Sequence, residues 1–256
     1  MRILIVVDNQ LLTEPALKVG ATLGANLWAH VNLLTVVSGN DRPDCAPDDL
    51  AKSTLVNARK TLIGLCGPDG PYSMPVIKEE AVTVRPGLFD YRPVVDAGKK
   101  ELKLRARYGE PGREIIDEAY EEDADLIIMS ASNSDSSSDQ QMPAPLQVAT
   151  EASCSTLIIK DLAQVQNIIV GLETPKLNQS AREMFNQIAN IFKAPAAMYP
   201  LPSIRSAKDE FSEAMEKLVK IFKVHDLNVI TADATSADRT IAELYDQAQH
   251  NMLILR

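Results

Sequence analysis

Ile3-Leu-Ile-Val-Val-Asp8 is a short apolar run closed by an acidic residue, and Ile168-Ile-Val-Gly-Leu-Glu173 repeats it at an offset of 165. An unbroken apolar run of this length fits a β-strand buried on both faces. The same stripe follows each run: Ala16, Gly20, Leu23 and Leu27 in the first copy, Ala181, Phe185, Ile188 and Phe192 in the second. The i, i+4, i+7, i+11 spacing is one face of an amphipathic helix. Thr13 and Asn178, at the same offset, carry side-chain oxygens suited to N-caps. The pattern implies a duplicated unit.

A second helix sets Ala51, Leu55, Ala58 and Leu62 against Phe211, Met215, Leu218 and Phe222. Further on, Arg113-Glu-Ile-Ile-Asp-Glu-Ala-Tyr120 matches Arg239-Thr-Ile-Ala-Glu-Leu-Tyr-Asp246, and Asp125-Leu-Ile-Ile-Met129 matches Asn251-Met-Leu-Ile-Leu255, now at offset 126. The shrinking offset locates an insertion in copy one near 67–99, with Gly67-Pro-Asp-Gly-Pro71 and Arg85-Pro-Gly87 inside it. Such punctuation reads as an irregular excursion rather than a packed element. Strands are expected near 2–8, 30–37, 101–108 and 124–130, then a short helix near 144–153 and a fifth strand over Ser155–Lys160. Alternating strands and helices imply a parallel sheet covered on both faces, because parallel neighbours need crossover connections. The division expected is 1–160 for the first unit, 161–166 as linker and 167–256 for the second, with no fifth strand in copy two. That omission leaves Met252–Leu255 on an edge, which copy one or a second molecule should cover.

Composition narrows the function. The 256 residues are 45% hydrophobic and 24% charged, enough to bury cores and too ordered in composition for a disordered chain. A net charge of −9 offers no electrostatic footprint for nucleic acid or anionic lipid. No apolar run approaches the roughly 20 residues that span a bilayer, and no signal pattern follows Met1, so a cytoplasmic protein without membrane insertion is expected. Cys45, Cys66 and Cys154, with His30, His225 and His250, lack ligand spacing, so neither a disulfide framework nor a metal site is readable. No Gly-x-Ser-x-Gly elbow, Walker loop or Gly-x-Gly-x-x-Gly follows either first strand, so no catalytic residue is assigned and an enzyme is not expected.

The strand ending in Asp8, the turn Gly109-Glu-Pro-Gly-Arg113, the stretch Glu122-Asp-Ala-Asp-Leu-Ile-Ile-Met129 and the closing Ala152-Ser-Cys-Ser-Thr-Leu-Ile-Ile159 resemble a universal stress protein domain. With copy two as a diverged second example, the chain resembles a tandem universal stress protein. The resemblance implies two α/β subdomains, each a doubly wound parallel sheet of strand order 3-2-1-4-5. It also implies a stress-associated regulatory role, and in some members binding of ATP or another adenine nucleotide. Binders carry a Gly-x2-Gly-x9-Gly-Ser/Thr loop after the fourth strand, whose N–H groups and hydroxyl hold the phosphates. The matching positions here are Ser130, Asn133, Pro143 and Ala144. Pro143 brings no N–H and Ala144 no hydroxyl. In copy two Arg256 aligns with Ser130, leaving no residues for that loop.

Two readings follow. The favoured one is a regulatory protein without cofactor that acts through protein contacts or self-association, with a homodimer expected. The alternative is an adenine-nucleotide sensor in the first crevice, using Asp8, Val36, Gly109, Ser130, Ser132, Asn133 and Ala144; a further alternative is a regulatory partner of a membrane transporter. Ser130–Gln141 otherwise reads as a solvated polar loop. Gly109–Gly112 reads as a strand-to-helix turn. Glu118, Glu121, Glu122, Asp123 and Asp125 read as a solvated acidic face, with a divalent-cation site as the sharper alternative. Cys66, Cys154, Trp28 and His30 read as packing residues.

Overall fold

The computed structural model describes residues 1–8, 13–39, 49–72, 79–93, 99–131, 142–159, 168–173, 179–201, 208–224, 229–231, 240–247 and 251–255. They divide into two compact units, Met1–Ser130 and Ala131–Arg256. The repeat boundary read near 160 therefore differs from the boundary drawn by contacts.

The first unit runs β1 (Arg2–Val6), α1 (Thr13–Asn26), β2 (His30–Ser38), α2 (Asp49–Cys66), β3 (Glu79–Arg85), β4 (Leu88–Pro93), β5 (Leu102–Gly109), α3 (Pro111–Glu121) and β6 (Leu126–Ser130). Its strands lie in the order β6-β1-β2-β5-β4-β3. The β6, β1, β2 and β5 strands pair in parallel, with Ile3 level with Val31 and Leu126, and Val36 level with Arg107. Val31 faces Gly24 of α1 while Asn32 binds Glu118 of α3, so helices cover both sheet faces. Ala51, Leu55, Ala58 and Leu62 of α2 are all buried, as their spacing predicts. Close approach of α1 to β1 depends on Gly20: a β-carbon there would run into Ile5 Cδ1.

The insertion is not an irregular excursion. Its β3 and β4 form an antiparallel hairpin, and β4 pairs antiparallel with β5. Pro86-Gly87 makes the turn, with Gly87 at φ 77, a left-handed conformation that a type II turn requires and glycine adopts without steric cost. The residues read as breakers are thus the turn of a packed element. Leu88, Phe89 and Tyr91 of β4 are buried, and the Phe89 ring meets Tyr108 edge-on at 5.7 Å. Each such side chain contributes on the order of 1.5–3 kcal/mol through burial. Tyr72, nearer the start of the insertion, is also buried and donates its hydroxyl to Ala29 O at 2.6 Å.

The second unit runs α4 (Ala144–Glu151), β7 (Ser155–Ile159), β8 (Ile168–Leu172), α5 (Gln179–Phe192), β9 (Ala196–Pro200), α6 (Lys208–Val224), β10 (Val229–Thr231), α7 (Ile241–Gln247) and β11 (Asn251–Leu255). Its strand order is β10-β9-β8-β11-β7. The first four are parallel, and β7 runs antiparallel to β11 with Met252 opposite Ile158 and Ile254 opposite Thr156. The flank of β11 that the repeat leaves open is therefore occupied by β7, and Met252, Leu253 and Ile254 are fully buried. Phe185, Ile188 and Phe192 carry the buried face of α5, and Leu218 is buried on α6.

Candidate functional site

Parallel strands place all their carboxyl ends on one side of a sheet, where loops gather the usual ligand crevice of an open α/β fold. In the first unit that side holds four of the expected residues: Asp8 after β1, Val36 near the end of β2, Gly109 ending β5 and Ser130 ending β6. At the end of their ladder Val6 of β1 is level with Leu34 of β2, two residues before Asp8 and Val36 respectively. Ala144 opens α4 in the second unit. Ser132 and Asn133 lie outside the described residues, as do Asn178, Cys45, His225 and His250.

Asp8 is exposed, yet its groups are engaged. Its N–H donates to Thr13 Oγ1 at 3.0 Å, and the Thr13 hydroxyl donates to the Asp8 carboxylate at 2.6 Å. Thr13, the first residue of α1, thus ties that helix back to the end of β1. At the neighbouring strand end, Glu110 caps α3: its carboxylate accepts from Gly112 N at 3.1 Å and Arg113 N at 2.8 Å. Pro111 opens the helix, where its missing N–H costs nothing. The N–H groups that a bare helix start would offer an anion are therefore taken by the protein's own carboxylate. Gly109 lies under Glu114, whose Oε1 would be 2.5 Å from a β-carbon at that position.

The N-terminus of α4 is poor in donors. Pro143 is its N-cap, with no side-chain cap bond, and Pro145 follows within the first turn. Two positions that normally present N–H groups have none, and Ala144 between them has no hydroxyl.

The acidic run is a solvated face only in part: Glu121, Asp123 and Asp125 are exposed, whereas Glu118 and Glu122 turn inward. Glu118 is fully buried and Glu114 is 5% exposed, because β5 presents Lys103, Arg105 and Arg107 to α3 at every second position. Arg107 donates to Glu118 at 2.6 Å, to Glu121 at 2.6 Å and to Glu114 at 3.3 Å. Arg105 bridges Glu118 at 3.1 Å and Glu122 at 2.8 Å, and Lys103 reaches Glu122 at 2.6 Å. Burial alone pulls the Arg107 guanidinium down, but Glu118, Glu121 and Glu114 outweigh it and hold the group above its ordinary pKa. The signal was present as alternating cations on a strand and carboxylates at helical spacing. Among the described residues no cluster of His, Cys, Asp or Glu is arranged to hold a metal ion.

A small open cavity sits at the other end of the sheet, lined by Arg2, His30, Asn32, Glu101, Lys103 and Glu122 among others; its free space of about 20 Å³ is room for one water. Cys66 and Cys154 are half-buried thiols outside any disulfide, and burial raises the pKa of Cys66, which disfavours a reactive thiolate. Trp28, read as core or rim packing, is 46% exposed, which places it at the rim. No described helix is long and apolar enough to cross a membrane.

A family model described as the universal stress protein family matches residues 1–160. Among solved structures, a universal stress protein from Archaeoglobus fulgidus is 10% identical, with 100% of this chain and 96% of that chain covered and a TM-score of 0.51. Another from the same organism, in complex with dAMP, is 20% identical over 62% of this chain and 98% of that chain, with a TM-score of 0.39. UspA from Lactobacillus plantarum is 18% identical over 62% of this chain and 97% of that chain, with a TM-score of 0.41. No curated protein matches the chain.

Proposed function

Because this chain belongs to the universal stress protein family, we propose that it is a stress-associated regulatory member that works through protein contacts and does not grip nucleoside triphosphates. The observation that carries the reading is the start of α4, where Pro143 and Pro145 flank Ala144 and no side chain caps the helix. A polyphosphate is held by preorganised N–H groups and hydroxyls, and these residues supply few of either. The capping of α3 by Glu110 supports the same reading, since a carboxylate already sits on those donors. The chain is read as a tandem of 1–160 and 167–256 joined by 161–166, a cytoplasmic binding protein rather than an enzyme. The strand-helix alternation of both units supports the tandem.

A second reading, an adenine-nucleotide sensor, is favoured by the grouping of Asp8, Val36, Gly109 and Ser130 at neighbouring strand ends. Isothermal titration with ATP, ADP and cyclic nucleotides in the presence of Mg²⁺ separates the two. The first predicts no saturable heat; micromolar binding lost in Asp8→Ala would establish the sensor instead.

A further inference from the structure

His30 and Asn32 stand two residues apart on β2, and so on the same face of the sheet, where both line the small cavity at its amino end. Asn32 is 7% exposed, and its Nδ2 donates to the Glu118 carboxylate. A carboxylate only accepts, so the amide is fixed with Nδ2 towards Glu118, and Oδ1 is the atom left over. That Oδ1 and the Nδ1 of His30 are both shielded from bulk solvent, and neither has a hydrogen-bond partner among the described residues. Glu101 Oε2 lies 3.7 Å from Nδ1, beyond direct hydrogen-bond range. Burying a polar atom without a partner is costly, so two such atoms at one cavity mark a place where something other than the chain supplies the bond.

We propose that this cavity is a binding site for one water molecule, which accepts from Nδ1–H of His30 and donates to Oδ1 of Asn32. The free space of about 20 Å³ is enough for one water, and a buried water takes about two to four polar partners. Its second hydrogen is left for Glu101 or Glu122, which line the same cavity. The surrounding charges select a neutral occupant. A metal ion would meet Arg2 and Lys103, and an anion would meet the Asn32 carbonyl oxygen together with two carboxylates. Water both donates and accepts within the space of one heavy atom. The Glu101 carboxylate also favours the proton on Nδ1, because the partners of each ring nitrogen set the tautomer. Through Asn32 the bridge joins the partly exposed ring of His30 to Glu118, and so to Arg105 and Arg107. It lies at the amino ends of the strands, opposite the crevice, so it stands apart from the question of nucleotide binding.

The test is a crystal structure of the whole chain at about 1.2 Å or better, where hydrogen-bond partners are assigned with least inference. The crystals are grown with rubidium chloride, so that a bound monovalent cation reveals itself by anomalous scattering. The expected result is an occupant within about 3.2 Å of both Asn32 Oδ1 and His30 Nδ1, without anomalous signal. In solution, one long-lived water should give Overhauser contacts to the Asn32 side-chain amide protons, and the ring-nitrogen shifts of His30 should report the Nδ1–H tautomer at neutral pH. His30→Leu, shown to be folded by far-UV circular dichroism, should lose the Overhauser contacts. A dry cavity overturns the proposal, as does an occupant that touches only one of the two atoms, a rubidium signal in its place, or a His30 ring carrying its proton on Nε2. Overhauser contacts that persist in His30→Leu overturn it as well, since the water would then not depend on the ring.

Discussion

Arg107 Nε donates to Glu118 Oε2 at 2.6 Å with the two side chains only 1% and 0% exposed, so β5 and α3 are joined by an ion pair removed from water. Taking two charges out of water costs several kcal/mol each, and only close mutual geometry with further hydrogen bonds offsets that. Here Arg107 also meets Glu114 and Glu121, and Glu118 also meets Arg105 and Asn32. Because α3 begins beside Gly109 and its cap Glu110, this bond positions one rim of the crevice.

Breaking the pair from one side leaves a buried charge. Arg107→Met and Glu118→Leu are each expected to cost about 3–5 kcal/mol in urea unfolding. The double variant should cost less than the sum by about 1–3 kcal/mol. Additive losses would show that the two side chains are energetically independent.

Gly20 sets the spacing between α1 and β1. Gly20→Ala gains up to about 1 kcal/mol of helix propensity, but its methyl meets Ile5 Cδ1 in a filled core, where overpacking costs about 1–3 kcal/mol. A net loss is expected, and Ile5→Val, which removes the obstructing methyl, should reduce it. If the loss is the same in both backgrounds, the Ile5 contact is not its source.

Trp28 closes α1 in the left-handed region at φ 51, with its N–H on Ala25 O and Ala29 N–H on Gly24 O, the hydrogen bonding of a Schellman cap. Glycine fills that position without the penalty of about 1–2 kcal/mol that a β-carbon brings. Trp28→Gly should therefore be more stable than Trp28→Ala by about 1 kcal/mol, both having lost the indole. Equal unfolding midpoints for the two would remove the strain from the explanation.

Burial, with Lys100 and Arg2 beside it and Glu101 opposing, holds His30 below its ordinary pKa of 6.5. The folded chain thus prefers neutral His30 and the unfolded chain binds its proton more readily. The stabilising contribution is present above pH 6.5 and declines as pH falls towards the lowered value. His30→Gln should shrink the loss of stability between about pH 7.5 and 5.5; an unchanged slope would assign that pH dependence to other groups.

Much of the fold was legible because its strands are continuous apolar runs and its helices keep one stripe. Ile3, Leu4, Ile5, Val7, Leu55, Ala58, Leu62, Phe185 and Ile188 are buried where their spacing put them. The hairpin was not legible, since Pro86-Gly87 is equally the mark of a loop and of a strand reversal, and only pairing with β5 tells them apart. The role of Glu118 was hidden for a related reason: a carboxylate on a helix reads as solvated until Arg105 and Arg107 are brought to it from a strand. At the crevice, Asp8, Gly109 and Ser130 could be placed by register alone, whereas the occupancy of the α3 donors by Glu110 needed atomic geometry.

The central claim is that the α4 start between Pro143 and Pro145 cannot hold a triphosphate. A ligand that binds only the folded chain stabilises it by about 2.7 kcal/mol at 100 times its dissociation constant. Urea unfolding with and without millimolar Mg-ATP is therefore the most direct measurement. The midpoint is predicted to stay where it is, and a shift that saturates with ATP and disappears in Asp8→Ala would contradict the claim.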